Sequence, residues 1–311
     1  MICLPRARAL RRLPCLAALL AAACSPATTP EVGAPARVDL AVDLAKACEG
    51  REGWSDAAPP AHVLGNTWNV GTCGITVLLV TSPAGHVLID GGPAAAAPLV
   101  LANIRAAGFD PRDLRWIASS HEHFDHVGAL AALRAATGAR VVAAAPARAA
   151  LESGQVGSDD PQAGIHDAFA PLRVDKVLRH REVLALGPLR LTLHETPVHS
   201  PGSASWTWQA QDAAGTSETI TYADSVSTIS ADGYRFSDHP ERIAAIRAGL
   251  DRVAALPCGV LLTPHPSASG MFERLAGREK LADAGACKAY AQAARQRFED
   301  RLAREAAGPE E

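Results

Sequence analysis

The chain has 311 residues, of which 48% are hydrophobic and 20% charged, and its formal net charge is −3. This is an ordinary globular composition, long enough for one large domain or two small ones. No basic excess is left over for a nucleic-acid-binding surface, so that class of partner is excluded.

The first 24 residues have the pattern of an export signal. Four arginines lie among the first twelve residues, and an apolar run at 13–23 follows that is too short to span a bilayer and ends in small residues. The run ends in Ala-Ala-Ala-Cys, a loose lipobox in which Cys24 would be lipidated and anchored to the outer membrane; simple cleavage is the alternative. We therefore predict a periplasmic protein with a tether at 25–46, a domain at 47–305 and a tail at 306–311.

Four of the seven cysteines lie outside the export signal: Cys48, Cys73, Cys258 and Cys287. An even set in an oxidising compartment predicts two disulfides. Three pairings fit the spacing, and we favour the two local pairs, Cys48 with Cys73 and Cys258 with Cys287. A cysteine-based zinc site is disfavoured because the chain has no Cys-x-x-Cys pair.

Short β-branched runs and helical apolar spacing alternate along the domain. The first half predicts a hairpin at 76–81 and 86–90, a helix at 95–107, a strand at 114–118, a helix at 128–137 and a strand at 140–144. A loop is expected at 154–162. The second half predicts two or three strands at 176–196, strands at 205–211 and 219–223, a helix at 240–256, a strand at 259–263 and a helix at 282–303. Each half reads as strands, helix, strand and helix, which predicts an α/β fold, an αββα sandwich of two mixed β-sheets with helices on the outer faces.

The segment SSHEHFDHVG, residues 119–128, places three of the chain's 11 histidines beside two carboxylates. It connects a predicted strand to a predicted helix, where functional loops commonly lie. His121 and His123 point the same way if the chain is extended, whereas Asp125 and His126 follow a turn, so two pairs can face two ions. Imidazoles with a carboxylate suit Zn²⁺. A solvated polar turn is disfavoured because clustered histidines repel one another when protonated.

Two ions need more ligands than this segment offers. His199 lies in TPVHSPGSASW and His265 in LLTPHPSAS, each just after a predicted strand. Either alone is more typical of a structural or surface histidine. Their shared position at strand ends makes both candidate ligands.

These motifs resemble those of the metallo-β-lactamase superfamily, and within it the subclass B3 metallo-β-lactamases, from about residue 66 to the C-terminal helix. HEHFDH with LIDGG upstream is similar to the superfamily signature, whereas YADSVS and TPHP resemble the subclass.

The resemblance implies a zinc-dependent β-lactamase with two Zn²⁺ per chain. The implied ligands are His121, His123 and His199 for the first zinc, and Asp125, His126 and His265 for the second. A metal-bound hydroxide, oriented by Asp125, would attack the lactam of penicillins, cephalosporins or carbapenems and so confer antibiotic resistance. One zinc would polarise the carbonyl oxygen and the other would stabilise the leaving nitrogen.

The resemblance also implies that Ser225 and Ser227 reach the substrate's carboxylate, and we expect Gln162 to line the cleft. Asp90 is expected to orient a ligand histidine, and Asp224 is left out of the ligand set. A monomer is expected, with the small β-lactam as its partner.

Two other functions stay open. One is another exported hydrolase of the superfamily that acts on a lactone, thioester or phosphoester, although the export signal argues against a cytosolic thioesterase. The other is a zinc-binding envelope protein without hydrolysis, which six intact candidate ligands argue against. Serine-dependent hydrolysis is disfavoured because the chain has neither Ser-x-x-Lys nor Gly-x-Ser-x-Gly.

Overall fold

A computed structural model describes Met1, residues 37–212 and residues 214–307. The predicted export signal, apart from Met1, and residues 25–36 of the predicted tether lie outside the described residues. The chain divides into two units, 1–34 and 35–311, and the described helices and strands belong to the second. In the described part of the chain, no helix is both long and apolar enough to cross a membrane.

Seven strands form the first sheet, in the order β1 to β7. They are β1 (Ala61–Leu64), β2 (Thr67–Asn69), β3 (Leu78–Val80), β4 (His86–Ile89), β5 (Leu114–Ala118), β6 (Arg140–Ala144) and β7 (Lys176–Leu178). Neighbours from β1 to β4 are antiparallel, and those from β4 to β7 are parallel. β4 is buried along its whole length, as expected for a strand covered on both faces.

Five strands form the second sheet, in the order β12, β11, β10, β9, β8. They are β8 (Val183–Leu186), β9 (Leu189–Glu195), β10 (Ala204–Gln211), β11 (Ser217–Tyr222) and β12 (Val260–Leu262). The parallel pair is β11 with β12, and the other neighbours are antiparallel. Both sheets are therefore mixed.

Eight α-helices accompany the sheets in the described residues. They are α1 (Arg37–Ala47), α2 (Ala97–Ala106), α3 (Phe124–Val127), α4 (Leu130–Thr137), α5 (Arg148–Ser153), α6 (Pro240–Ala254), α7 (Met271–Leu275) and α8 (Ala286–Ala307). α4 is capped at its C-terminal end by Gly138, which has φ 75°, a left-handed conformation that suits glycine.

Three hydrophobic clusters define the layers. Ile89 of the first sheet and Trp206 of the second belong to one core between the sheets. Ile104 of α2 and Leu133 of α4 pack on the outer face of the first sheet, and α6 and α8 cover the second. The αββα sandwich predicted from the sequence is thus confirmed.

The folded domain extends beyond its predicted limits at both ends. α1 lies in residues assigned to the tether, where Leu44 is fully buried with Ala61 of β1 because a small cluster forms around Cys48 and Cys73. α8 continues to Ala307, two residues into the predicted tail. Helical structure therefore continues into the segments predicted as tether and tail.

Both predicted disulfides are present, Cys48 with Cys73 and Cys258 with Cys287. The first joins the end of α1 to the loop before β3. The second joins the loop before β12 to the first turn of α8.

Candidate metal centre

The candidate ligands lie where strands end. The loop containing residues 119–123 follows β5, and His199 lies in the loop after β9. His265 follows β12, and Asp224, which is not a candidate ligand, follows the neighbouring β11. Since β11 and β12 run parallel, their carboxyl ends lie side by side.

The six predicted ligands converge on one place. His121, His123 and His199 each offer a ligand atom within 4.8 Å of the others, and so do His121, Asp125 and His126. All of these are at most 7% exposed. His265 joins them through its Nε2, 3.5 Å from Asp125 Oδ2.

In the first group, each imidazole turns one nitrogen away from the centre toward a protein partner. His121 Nδ1 lies 2.8 Å from Asp224 Oδ1, and His123 Nε2 lies 2.9 Å from Asp160 Oδ2. His199 Nδ1 lies 2.9 Å from the carbonyl oxygen of Ser227. A ring N–H that donates outward fixes the tautomer and leaves the other nitrogen free to bind a metal.

The second group follows the same rule. His126 Nδ1 is 3.4 Å from Asp90 Oδ2, and His265 Nδ1 is 3.2 Å from the carbonyl oxygen of Gly74. His126 Nε2 is 3.0 Å from Asp125 Oδ2. The Nε2 atoms of His126 and His265 both face Asp125 Oδ2, so their Nδ1 atoms are the ones turned away from the centre.

Asp90 occupies the position expected of a residue that orients a ligand. Its carboxylate accepts bonds from the Ser120 N–H at 2.6 Å, the Ser120 hydroxyl at 2.7 Å and the Tyr222 hydroxyl at 2.7 Å. Its backbone has φ 65°, a left-handed conformation uncommon for a residue other than glycine and often found at functional sites.

Asp224 lies behind His121. Burial raises the pKa of Asp224 to about 7, and its Oδ2 has no hydrogen-bond partner among the described residues. Its contact with His121 Nδ1 leaves it outside the group of converging ligand atoms, as the sequence analysis placed it.

Glu122 was missed by the sequence analysis. It is 3% exposed, and it accepts bonds from the Ser200 hydroxyl at 2.7 Å and the Gly202 N–H at 2.8 Å. A Cβ on Gly202 would come within 2.4 Å of Glu122 Oε2, so this close approach requires glycine. Glu122 thus connects the segment of His121 and His123 to the loop of His199. The sequence signal that could have identified Glu122 is its position between His121 and His123. In an extended segment, this position points its side chain away from the side on which the two histidines lie.

Asp160 was also missed. Besides meeting His123, it accepts the Gln162 N–H at 2.7 Å. Burial would raise the pKa of the Asp160 carboxyl, but the bond with His123 holds it below its ordinary value. It belongs to the polar loop that the sequence predicted, yet 37 residues separate it from His123, and spacing cannot reveal such a contact.

The three residues predicted to contact substrate lie beside the centre. Gln162 is 5% exposed, and its side-chain nitrogen lies 3.3 Å from His199 Nε2. The Ser227 hydroxyl lies 2.9 Å from His199 Nδ1. Ser225 lines a cavity together with Ser227 and His265.

An aromatic cover, also not predicted, lies beside the centre. The Trp54 ring, 41% exposed, is 6.0 Å from the ring of His265 and 5.5 Å from that of Phe124. The His166 ring lies 4.0 Å from that of His123.

The residues present fit a divalent metal. His121 Nε2 is buried and has no hydrogen-bond partner in the described structure, an arrangement that costs free energy unless another group binds it. Burial, reinforced by the neighbouring histidines, lowers the pKa of His121 well below its ordinary value, and burial lowers that of His199 to about 3. Both rings are therefore neutral at pH 7, the state in which imidazole binds metal. Five imidazoles and one carboxylate are a donor set that suits zinc.

Comparisons with known proteins agree with this geometry. Residues 70–270 match the family model of the metallo-beta-lactamase superfamily. The crystal structure of the metallo-β-lactamase MIM-1 from Novosphingobium pentaromativorans is 60% identical, covers 86% of this chain and 100% of its own, and superposes with a TM-score of 0.85. MEM-A1, a subclass B3 metallo-β-lactamase from a soil metagenome library, is 38% identical, covers 83% of this chain and 100% of its own, and has a TM-score of 0.77.

Curated relatives match over shorter segments. A hydroxyacylglutathione hydrolase of Anaeromyxobacter dehalogenans is 32% identical over 136 residues, 44% of this chain and 42% of the relative. The N-acyl homoserine lactonase AttM of Agrobacterium fabrum is 33% identical over 78 residues, 18% of this chain and 30% of the relative. The chain thus spans less than half the length of these two relatives.

Proposed function

The chain belongs to the metallo-β-lactamase superfamily, and from that premise we propose that it hydrolyses the amide bond of β-lactam antibiotics with two zinc ions bound at the metal centre. The observation that carries the proposal is the convergence of all six implied ligands in a chain similar to subclass B3 enzymes over most of its length. The substrate class comprises penicillins, cephalosporins and carbapenems.

The proposed ligands divide between the two ions as the sequence analysis placed them: His121, His123 and His199 for the first, and Asp125, His126 and His265 for the second. When bound, zinc would supply a nucleophile at neutral pH by lowering the pKa of a water, and would polarise the lactam carbonyl.

Asp125 is proposed to orient the attacking water by accepting its hydrogen bond. Burial would raise the pKa of the Asp125 carboxyl, but His126 and His265 hold it well below its ordinary value, so it is an acceptor at neutral pH. The Ser225 and Ser227 hydroxyls are proposed to donate to the substrate's carboxylate. The Ser227 hydroxyl lies 2.9 Å from His199 Nδ1, so it would have to turn away from that ring to reach the substrate. Gln162 is proposed to line the substrate cleft next to His199.

We further propose an exported, monomeric protein. Residues 1–24 would act as the export signal, with or without a lipid on Cys24, and direct the chain to the periplasm. The two disulfides agree with an oxidising compartment.

The test is hydrolysis of a carbapenem by the purified mature protein, followed by the loss of its ultraviolet absorbance, first with zinc and then with EDTA. We expect rapid loss that EDTA abolishes and that a clavulanate-type serine acylator leaves unchanged. A rate that resists EDTA would contradict the metal mechanism.

A second candidate function rests on the partial similarity to the thioesterase and the lactonase. An acyl homoserine lactone and a glutathione thioester should be assayed beside the carbapenem. Turnover of one of these without turnover of any β-lactam would replace the proposed substrate class while retaining the zinc mechanism. Bound zinc without turnover of any of them would indicate a non-hydrolytic zinc-binding protein.

A further inference from the structure

A cavity of about 730 Å³ opens beside the metal centre. His265, Ser225 and Ser227 form the edge that it shares with the centre, and it continues from there to α8. Binding pockets for small molecules commonly have volumes of roughly 300–1,000 Å³. The cavity therefore offers room for a sizeable chemical group next to the proposed carboxylate contacts.

One wall is a smooth face of α8. Ala286, Ala289 and Ala293 line the cavity at helical spacing, with Tyr290 between them. The disulfide of Cys258 with Cys287 fixes the first turn of this helix, and the Tyr290 hydroxyl donates to the carbonyl oxygen of Asp224 at 3.4 Å. This wall is thus anchored to the same loop that carries Ser225 and Ser227.

The opposite wall is held as firmly. The Thr263 hydroxyl lies 2.8 Å from the carbonyl oxygen of His265 and 2.9 Å from the Ser269 hydroxyl. The Arg274 guanidinium donates to the carbonyl oxygens of Leu261 and Leu281. Both walls therefore have many fixed contacts, which indicates a preformed cavity.

The lining of the cavity indicates what it would accept. Most of its surface is apolar, although five charged side chains also line it. Glu279, Lys280, Asp283 and Arg297 are exposed, whereas Arg274 is buried and donates to backbone carbonyl oxygens. A bulky, mainly apolar group suits such a lining better than a small polar one.

We infer that this cavity is a specificity subsite for the substituent that a β-lactam carries next to its carboxylate-bearing carbon, and that the alanine face of α8 sets the size of substituent accepted. The inference rests on the proposed function. If Ser225 and Ser227 hold the carboxylate, the cavity that these serines border is the space adjacent to the neighbouring substituent.

The test compares two cephalosporins with the same acyl side chain, one with a bulky aromatic group at C3 and one with methyl. Ala289→Trp should fill the cavity from an exposed helical position. We expect KM for the bulky substrate to rise about tenfold or more, while kcat/KM for the methyl substrate stays within about twofold of wild type. Ala293→Trp provides a second obstruction on the same face if the first variant folds poorly.

The matched control is Gln292→Trp, on α8 but outside the cavity lining, which should leave both substrates unchanged. Equal effects of Ala289→Trp and Ala293→Trp on the two substrates, or no effect on either, would overturn the subsite. Failure of the wild-type protein to hydrolyse either cephalosporin would instead overturn the proposed function, so the two failures are distinguishable.

Discussion

Single side chains explain why the centre is preorganised. Each of the five imidazoles turns one nitrogen toward a carboxylate or carbonyl oxygen. Such oxygens are held in place in turn; the Ser120 and Tyr222 hydroxyls, for example, donate hydrogen bonds to Asp90. The rings cannot rotate without breaking these contacts. Any metal is therefore met by nitrogens already aimed at it.

Glu122 is expected to act as a positioning residue for the first ion. Glu122→Ala removes both bonds to the His199 loop and should weaken zinc binding by roughly 10–100-fold, whereas Glu122→Gln, which keeps the shape, should weaken it less. Zinc affinity is measured by competition with a chromogenic chelator. Glu241→Gln, at a side chain that is 75% exposed, serves as the control. Unchanged zinc affinity in Glu122→Ala would contradict the role.

His265→Ala should remove one ligand of the second ion. We expect the variant to bind about one zinc less per chain and to lose a large part of its turnover, because the lost ligand belongs to the ion proposed to stabilise the leaving nitrogen. Zinc content after dialysis and kcat for a carbapenem check this. Wild-type stoichiometry and rate in the variant would refute the assignment.

His194, outside the ligand set, should affect stability with a definite pH dependence. Burial lowers its pKa from 6.5 to about 4, and its Nε2 bonds with the Thr207 hydroxyl at 2.9 Å. The unfolded chain therefore takes up this proton first as pH falls, so stability from His194 is full above pH 6.5 and declines toward pH 4.

Between pH 6.5 and pH 4, the free energy of unfolding of His194→Gln should fall less than that of the wild-type protein. After allowance for the partial exposure of the ring, we expect a difference of about 1–2 kcal/mol between pH 7 and pH 4.5. Urea unfolding of the two metal-free proteins measures it. Parallel pH profiles would contradict the titration of His194.

Among the site residues, sequence reasoning found those with a local signal. HEHFDH is contiguous, and His199 and His265 each follow an apolar strand. Asp160 and Gln162 lie in the same loop, but a contact of Asp160 across 37 residues depends on tertiary packing. Trp54 was missed for the same reason, since nothing in its neighbourhood marks it as lying beside His265.

Elements with strong periodicity were predictable, and those stabilised by packing were not. The strands at 114–118 and 140–144 were predicted with their observed bounds because they are apolar and bounded by breakers. β1 and β2 are only four and three residues long, and α7 five, too short to show a period. α1 is stabilised by burial of Leu44 in the cluster of the first disulfide rather than by its own pattern.

The second disulfide is expected to stabilise α8 and thereby the whole domain. It closes a loop across a sequence separation of 29 residues. In the chain-entropy model its removal should cost about 3.5 kcal/mol. Urea unfolding of the Cys258→Ala/Cys287→Ala variant, saturated with zinc, measures the loss. Wild-type stability in this variant would show that packing of α8 on α6 suffices without the bond.

Zinc binding should be coupled to folding of the entire domain, because the ligands follow three strands of two sheets and cannot converge in an unfolded chain. A ligand that binds only the folded state stabilises it by about 1.4 kcal/mol per bound ion for each tenfold rise in free concentration above its Kd. Two ions therefore predict a slope of about 2.7 kcal/mol per decade of free zinc, and one ion about half of that. Urea unfolding in chelator-buffered zinc measures the slope without any substrate. His265→Ala should reduce the slope to the value for one ion. A zero slope in the wild-type protein would contradict the metal centre. A wild-type slope equal to that of one ion would contradict the second zinc site and leave the first.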